Sequence, residues 1–373
     1  MNQFCKVFSI VSLFSTLALF GDATSNSIVT PPMGPLCNHQ LDIAVDAEFL
    51  YWFSNISNLS YAVEGEASLI GESGNPVLAG RTTFVPIKNR QLDRSWDPGS
   101  RIGLGLVMDH DGWDVYSDWT YFYNSETASR SVPPFSNPNF AFGGNNQTPG
   151  VKALRSPWFL TPNGDFFNHI QSKWAVLFNQ IDLELGRNYL ISKYLSLRPY
   201  AGVRGYWTRM HFSVKGSRPF LGDTSELRSS SRYRQKNWGV GFLAGLDTNW
   251  FFTVQWSLFA DASAALTYGK WWVKRASSER ERDTTGVIRN LRVNTRDINY
   301  GIQPFVDLVA GLRWQNAYTN FRLLFDAGWE FHYLVDINQM FRGTGETIAN
   351  SDLLSTNGNL TLSGIRIRGR VEF

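Results

Sequence analysis

The chain reads as an all-β protein: a transmembrane, antiparallel, up-and-down β-barrel of about 10–12 strands with short periplasmic turns and long extracellular loops. Three observations predict this. Apolar and polar residues alternate with period two over segment after segment, the signature of strands with one apolar face. The connections alternate strictly between short turns and long polar loops, as in outer-membrane barrels and unlike soluble sandwiches. Beyond the N-terminal segment no apolar run approaches the roughly 20 residues of a spanning helix. Yet the chain is aromatic-rich (14 Trp, 14 Tyr, 27 Phe) and only 18% charged, below the roughly 25% of soluble domains.

The N-terminal segment is an address. Lys6 precedes an apolar run, Val7 to Phe20, and Gly21-Asp22-Ala23 puts small residues at the −3 and −1 positions of a cleavage site. Residues 1–23 are therefore read as a signal peptide, residues 24–40 as a periplasmic lead-in and residues 41–373 as the barrel. Cleavage removes Cys5 and leaves Cys37 alone. A lone cysteine closes no internal disulfide; it is read as a bystander thiol, with a disulfide to another chain as the open alternative.

Ten strands follow in order. The first lies near Ala47 to Phe53. In the second, Ile102, Leu104, Leu106 and Met108 oppose Arg101, Gly103 and Gly105; in the third, Trp113, Val115, Trp119, Tyr121 and Tyr123 oppose Asp114, Asp118 and Thr120. Between Lys173 and Gly186 the pattern loosens, but Gln180, Asp182 and Glu184 still face away from Ile181, Leu183 and Leu185. Leu195 to Thr208, Trp238 to Leu246, Trp256 to Tyr268, Val306 to Trp314 and Phe321 to Tyr333 continue the alternation, and the stretch from Ile365 closes it. The long connections are near 54–92, 125–172, 213–236, 275–299 and 335–359. The first leaves room for a further pair, Leu59–Val63 and Thr82–Ile87, which would make twelve.

Energy decides the facing. A sheet in a bilayer must close on itself because lipid cannot satisfy an open edge. Arg or Lys on the lipid side costs about 2–4 kcal/mol at the midplane. Arg101, Arg198, Arg204, Arg313, Arg322, Asp261, Asp307, Asp326 and Glu330 are therefore sent inward, as are Arg366, Arg368 and Arg370 of the last strand. Tyr51, Trp113, Tyr123, Trp207, Trp238, Trp250, Tyr268, Trp314 and Tyr333, near strand ends, suit interfacial girdles. The final strand ends on Phe373 with Ile365, Ile367 and Val371 on its face. It resembles the signal read by barrel-assembly machinery, and pairing with the first strand would close the edge.

Taken together, AEFLYW (Ala47 to Trp52), LSYAVEG (Leu59 to Gly65), WDPGSRIGLGL (Trp96 to Leu106), HDGWDVYSDWTYFY (His110 to Tyr123) and IDLELGRNYLISKYLSLRPYAGVRGYW (Ile181 to Trp207) resemble one family, and later segments do too: NWGVGFLAGLDTNW (Asn237 to Trp250), FADASAALTYGKW (Phe259 to Trp271), LVAGLRW (Leu308 to Trp314) and GWEFHY (Gly328 to Tyr333). The family is the major outer membrane protein-like porins of the Legionella type, also found in environmental chlamydiae. The resemblance spans roughly residues 41–373 and lies in the strands. It implies a pore-forming barrel of the bacterial outer membrane with surface-exposed loops. It supplies no catalytic residue. Family members often work in a cysteine-crosslinked envelope, from which a chain with only Cys37 departs.

Little else suggests chemistry. The net charge of +3 lacks the concentrated basic face of a nucleic-acid binder. The five histidines have no metal-ligand spacing partners. Asp109-His110-Asp111-Gly112 lacks the remaining ligands of a calcium loop and reads as a tight turn. His211 near a loop-side strand end, with Ser213 beside it, lacks an orienting third group. No catalytic, cofactor or metal residue is assigned, and the chain is read as a non-enzyme.

The mechanism expected is passive diffusion of small hydrophilic solutes and ions through the lumen. Pore-lining candidates are Arg366, Arg368, Arg370, Arg322, Asp326, Glu330, Asp307, Arg313 and Arg204. Unpaired, the arginine row would favour anions; paired with carboxylates, it would select weakly. The alternative is a surface-exposed structural or adhesive barrel with a plugged lumen and partner-binding loops. Expected partners are outer-membrane lipid, the assembly machinery acting through Phe373, and the solutes; a homo-oligomer stays open.

Overall fold

The computed structural model describes residue 30 and residues 41–70, 81–108, 111–133, 151–160, 166–219, 226–282, 286–318, 320–343 and 353–373. Residues 1–23, read from the sequence as a signal peptide, all of residues 24–40 but residue 30, Cys37 among them, and Asp109-His110 lie outside the described residues. Among those described there are sixteen strands: β1 (Leu41–Ile56), β2 (Ala62–Ile70), β3 (Arg81–Arg90), β4 (Trp96–Met108), β5 (Trp113–Ser131), β6 (Val151–Arg155), β7 (His169–Arg187) and β8 (Tyr189–Ser192). They continue with β9 (Leu195–Pro219), β10 (Glu226–Phe251), β11 (Trp256–Arg282), β12 (Ile288–Ala317), β13 (Arg322–Asn338), β14 (Phe341–Gly343), β15 (Leu353–Ser355) and β16 (Gly358–Glu372).

Ten of them close a ring. The order β1-β4-β5-β7-β9-β10-β11-β12-β13-β16 is antiparallel throughout, and β16 pairs back onto β1. The closing register sets Phe49 opposite Ile367 and Tyr51 opposite Ile365, and Phe373 exchanges backbone hydrogen bonds of 2.8 and 2.9 Å with Ile43. Every strand of the ring thus has a hydrogen-bonded neighbour on both sides, the closure that a spanning sheet requires.

The strand count is therefore ten. The segments allowed as an extra pair fall around β2 and β3, which pair with each other and with β6 in a separate three-stranded sheet. The reason is chemical. β2 carries Glu64 and Glu66 within nine residues, while a crossing strand needs about 9–11 residues with an apolar outer face. Glu64 instead anchors this sheet beside the barrel. Arg130 of β5 donates to it at 3.0 and 2.9 Å, and Arg90 of β3 at 2.9 Å.

The Arg130 hydrogen bond is the chief cause holding the Glu64 carboxyl down at about 2, with Arg90 helping and burial opposing. Because the folded-state value lies below the ordinary 4.5, the anchor is fully present above that pH and lost as pH falls toward 2. Hydrogen exchange along β2 should accelerate over that window, and Glu64→Gln should show the fast exchange already at neutral pH. Unchanged β2 protection in both cases would show that the anchor contributes nothing.

Alternation gives the wall its two faces. On β1, Ile43, Val45, Phe49 and Tyr51 are exposed, while Asp46, Glu48, Leu50 and Trp52 are buried inside. Interior glycines make room for large side chains: a Cβ on Gly245 would collide with the Tyr200 ring, and one on Gly103 with Tyr116. The turns sit at one end, where Asp111 and Gly112 adopt φ of 56° and 69°; Asp and Gly tolerate this left-handed region best.

At the opposite, loop end, the strands run far past the span. The β9–β10 register extends to Pro219 opposite Glu226, and the β11–β12 register to Arg282 opposite Ile288. The connections expected at 213–236 and 275–299 are thus mostly paired strand. β12 meets β13 only from Phe305 onward, so among the described residues its outer half bonds to β11 alone.

Candidate functional site in the barrel interior

All nine candidate lining residues lie on the interior face, and each arginine among them is paired. The pairs follow from register. Asp326 stands opposite Arg313 on one side and Arg368 on the other. Arg313 grips it at 2.8 and 3.0 Å, Arg368 bonds it directly, and Arg366 lies 3.8 Å away. Arg322 and Arg370 both pair with Glu372, the latter at 2.9 Å.

Two further contacts, Arg204–Asp307 and Arg101–Glu330, cross the lumen as chords between strands that are not neighbours in the ring, and pairs between adjacent strands join them. Arg204 of β9 holds Asp182 of β7 at 2.6 and 2.8 Å and also reaches Asp307 of β12. Arg101 of β4 takes Glu48 of β1 and Glu330 of β13, both at 2.8 Å. His332 stands between Asp307 and Glu330, at 2.7 and 3.0 Å from its two ring nitrogens. Arg366, 3.3 Å from Glu48, links this chain to Asp326. The result is one alternating network from Arg313 through Asp326, Arg366, Glu48, Arg101, Glu330, His332, Asp307 and Arg204 to Asp182. It spans the interior at mid-height. Bidentate and multiply shared pairs of this kind are the geometrically specific ones.

On the turn side, a polar vestibule of about 200 Å³ opens below the network, lined by Asp114, Tyr116, Glu184, Arg198, Arg370 and Glu372 among others. Arg198 braces its wall through Asp114 at 2.6 Å and through Glu184 and Asp247 at 3.0 Å. Asp118, Asp182 and Glu184 bring carboxylate oxygens within 4.8 Å of one another. Each also faces a guanidinium, Arg101 at 3.6 Å, Arg204 at 2.6 Å and Arg198 at 3.0 Å, which it shares with other carboxylates of the interior.

On the loop side a layer of apolar side chains fills much of the interior, with a few buried polar groups among them. Trp52, Phe122, Trp174, Phe178, Met210, Phe212, Tyr233, Leu334 and Leu362 are buried there. The segment after β6 dips into this layer: Trp158 is 0% and Phe159 1% exposed. The indole packs on Phe212 and Tyr233 at 4.9 and 5.1 Å and donates to the Ser60 carbonyl at 2.7 Å. Arg275 of β11 donates to the carbonyls of Trp158 and Phe159 at 3.2 and 3.0 Å. From the other side, Gln235 holds the end of β13 and the residue after it, donating to the Ile337 carbonyl at 2.6 Å and accepting from the Gln339 amide at 2.9 Å. This inserted plug was not legible in the 125–172 connection, although its aromatic cluster, Trp158-Phe159 and Phe166-Phe167, is unusual for a loop facing water.

A family model described as Legionella pneumophila major outer membrane protein precursor matches residues 34–373. The chain belongs to that family. Its members are outer-membrane proteins, which agrees with the closed, apolar-walled ring. Among curated proteins, none matches the chain. Among solved structures, this family member is similar to the outer membrane protease OmpT of Escherichia coli, at 12% identity over 89% of this chain and 96% of that one, with a TM-score of 0.32. It is also similar to a Pseudomonas aeruginosa FadL homologue, at 10% identity over 90% of each chain and a TM-score of 0.23.

Proposed function

We propose that this chain is a surface-exposed outer-membrane barrel with a closed lumen, and that its loop-end sheets and hairpins, not a pore, are its working surface. One observation carries this reading: the interior is crossed twice, by the inserted Trp158–Phe159 plug and, below it, by the cross-lumen network of Arg204, Asp307, Arg101 and Glu330. Ten strands enclose a lumen little wider than the eight-stranded one that side chains fill. The loop end is placed outside the cell because outer-membrane barrels keep short turns periplasmic and long connections external.

A pore for small hydrophilic solutes is supported by the charged vestibule at the turn end, and it would require both layers to move. With the arginines of β16 paired to Glu48, Asp326 and Glu372, such a pore would discriminate weakly between anions and cations. Planar-bilayer recording decides. The purified, refolded chain should insert without stepwise ion current. Sustained unitary steps would replace this reading with the porin, and Arg366, Arg368 and Arg370 would then be the first filter residues to neutralise.

A further inference from the structure

The inside and outside of this barrel treat their cations differently. Inside, the arginines of the network are matched to carboxylates. Outside, just beyond the loop-side girdle, they are matched to each other. Trp207, Trp238, Lys270 and Tyr300 align across β9 to β12, and the ammonium of Lys270 lies over the Trp272 and Tyr300 rings at 4.6 and 4.9 Å. Two pairs further out, His211, Arg234, Lys274 and Arg296 stand directly opposite one another across four strands. All four point outward and are exposed. Arg209 lies opposite Lys236 in the row between, and Arg232 follows in the next row out.

Among the described residues no acidic side chain occupies this face in these rows; Asp297, opposite Val273, is exposed but lies on the other face of its strand. Among the described residues Arg234, Lys274 and Arg296 form no ion pair. Like charges directly opposite in a sheet are destabilising, so the three cations Arg234, Lys274 and Arg296 in one row, with His211 beside them, are a cost the fold carries unless an anion bridges them. On β5, in contrast, the outward positions at the loop side are Ser125, Thr127 and Ser129.

Their height identifies the anion. A strand rising about 3.3 Å per residue from Trp250 to Trp238 crosses the apolar band between the two girdles, and the row begins immediately past it, on the lipid-facing wall, where headgroups lie. We infer that the row His211–Arg234–Lys274–Arg296 binds the phosphate groups of an outer-leaflet glycolipid, the lipid A portion of lipopolysaccharide, with Trp238, Tyr268 and Tyr300 against its acyl and sugar region. Guanidinium groups suit phosphate by bidentate hydrogen bonding, and clustered cations beside an anionic leaflet add roughly in proportion to their number. The inference rests on the loop end being external.

The test is titration calorimetry of the refolded full chain in neutral detergent, with bisphosphorylated lipid A, the same glycolipid stripped of phosphate, and inorganic phosphate as probes. Lipid A should bind, the stripped form should bind far more weakly, and inorganic phosphate should not compete at equal concentration. Arg234→Gln with Lys274→Gln should weaken lipid A binding about thirtyfold. Lys88→Gln with Lys152→Gln, which removes equal charge from the separate small sheet, should leave it unchanged. Without lipid the row variant should melt no lower than the parent, and it should lose most of the rise in Tm that lipid A gives the parent. Equal binding of the stripped glycolipid, or an unaffected row variant that is folded, overturns the inference; competition by inorganic phosphate moves the site to a soluble anion and overturns it too. Protease access on intact cells tests the orientation separately: a loop end inaccessible from outside would sink the surface placement even with lipid A bound in detergent.

Discussion

Replacing Asp326 with Asn is expected to destabilise the barrel by about 3–5 kcal/mol, the range for breaking a buried ion pair from one side, as measured by equilibrium urea unfolding in lipid vesicles. Asp326 is 2% exposed and answers two guanidiniums directly, Arg313 and Arg368, with Arg366 close by. An amide keeps the shape and one acceptor oxygen but removes the charge, so buried cations are left without their counterion. A double-mutant cycle separates this from a general packing defect. Arg368→Gln should be clearly less harmful in the Asp326→Asn background than in the parent, with a coupling of about 1–3 kcal/mol. Additive effects would mean that the two groups, although opposite in register, do not depend on each other.

What the sequence revealed, and where it stopped, follows from the period of a strand. Alternation fixes the face of every residue, so Arg204, Arg313, Asp307, Asp326 and Glu330 were legible as interior from their apolar neighbours alone. It says nothing about which strands meet across the lumen. Arg204 to Asp307 and Arg101 to Glu330 are separated by 103 and 229 residues in sequence, and only closure of the ring brings them together. Glu48, central to the network, sits in Ala47 to Phe53, a stretch the sequence marks as strand without showing which of its residues face inward.

Strand ends were lost for a different reason. Beyond the lipid band nothing demands an apolar outer face, so Arg228, Arg232, Arg234 and Lys236 alternate with Leu227, Ser229, Ser231, Tyr233 and Gln235 and look like a polar loop. The inward set is still continuous, and it reaches the layer where the plug docks. Of the small sheet, β2 and β3 overlap the strand pair the sequence leaves room for, but β6 is five residues long, too short for periodicity to declare a strand.

Trp158→Ala is expected to release the inserted segment while leaving the barrel closed. Truncating a fully buried Trp costs about 3–5 kcal/mol, and here the change also removes the indole N–H that meets the Ser60 carbonyl. The segment is joined to the ring through residues 132 and 168, whose backbones pair at 2.8 Å. It can therefore undock as a local unit rather than by global unfolding. Lys152 and Arg155 lie in its β6 strand, and trypsin samples the undocked form. Where opening is fast relative to cleavage, the rate follows the open population and should rise by about two to three and a half orders of magnitude, with the heat-modifiable migration of the folded ring on gels unchanged. The same variant discriminates between the two closures. The ring of Tyr206 against Phe305, at 4.8 Å, and the Arg204–Asp307 and Arg101–Glu330 chords lie below the plug and do not depend on Trp158. Planar bilayers should accordingly stay silent even with the segment released. A steady current from Trp158→Ala would show instead that the apolar plug alone holds the lumen shut by excluding water, and that the charged layer beneath it is already permeable to ions.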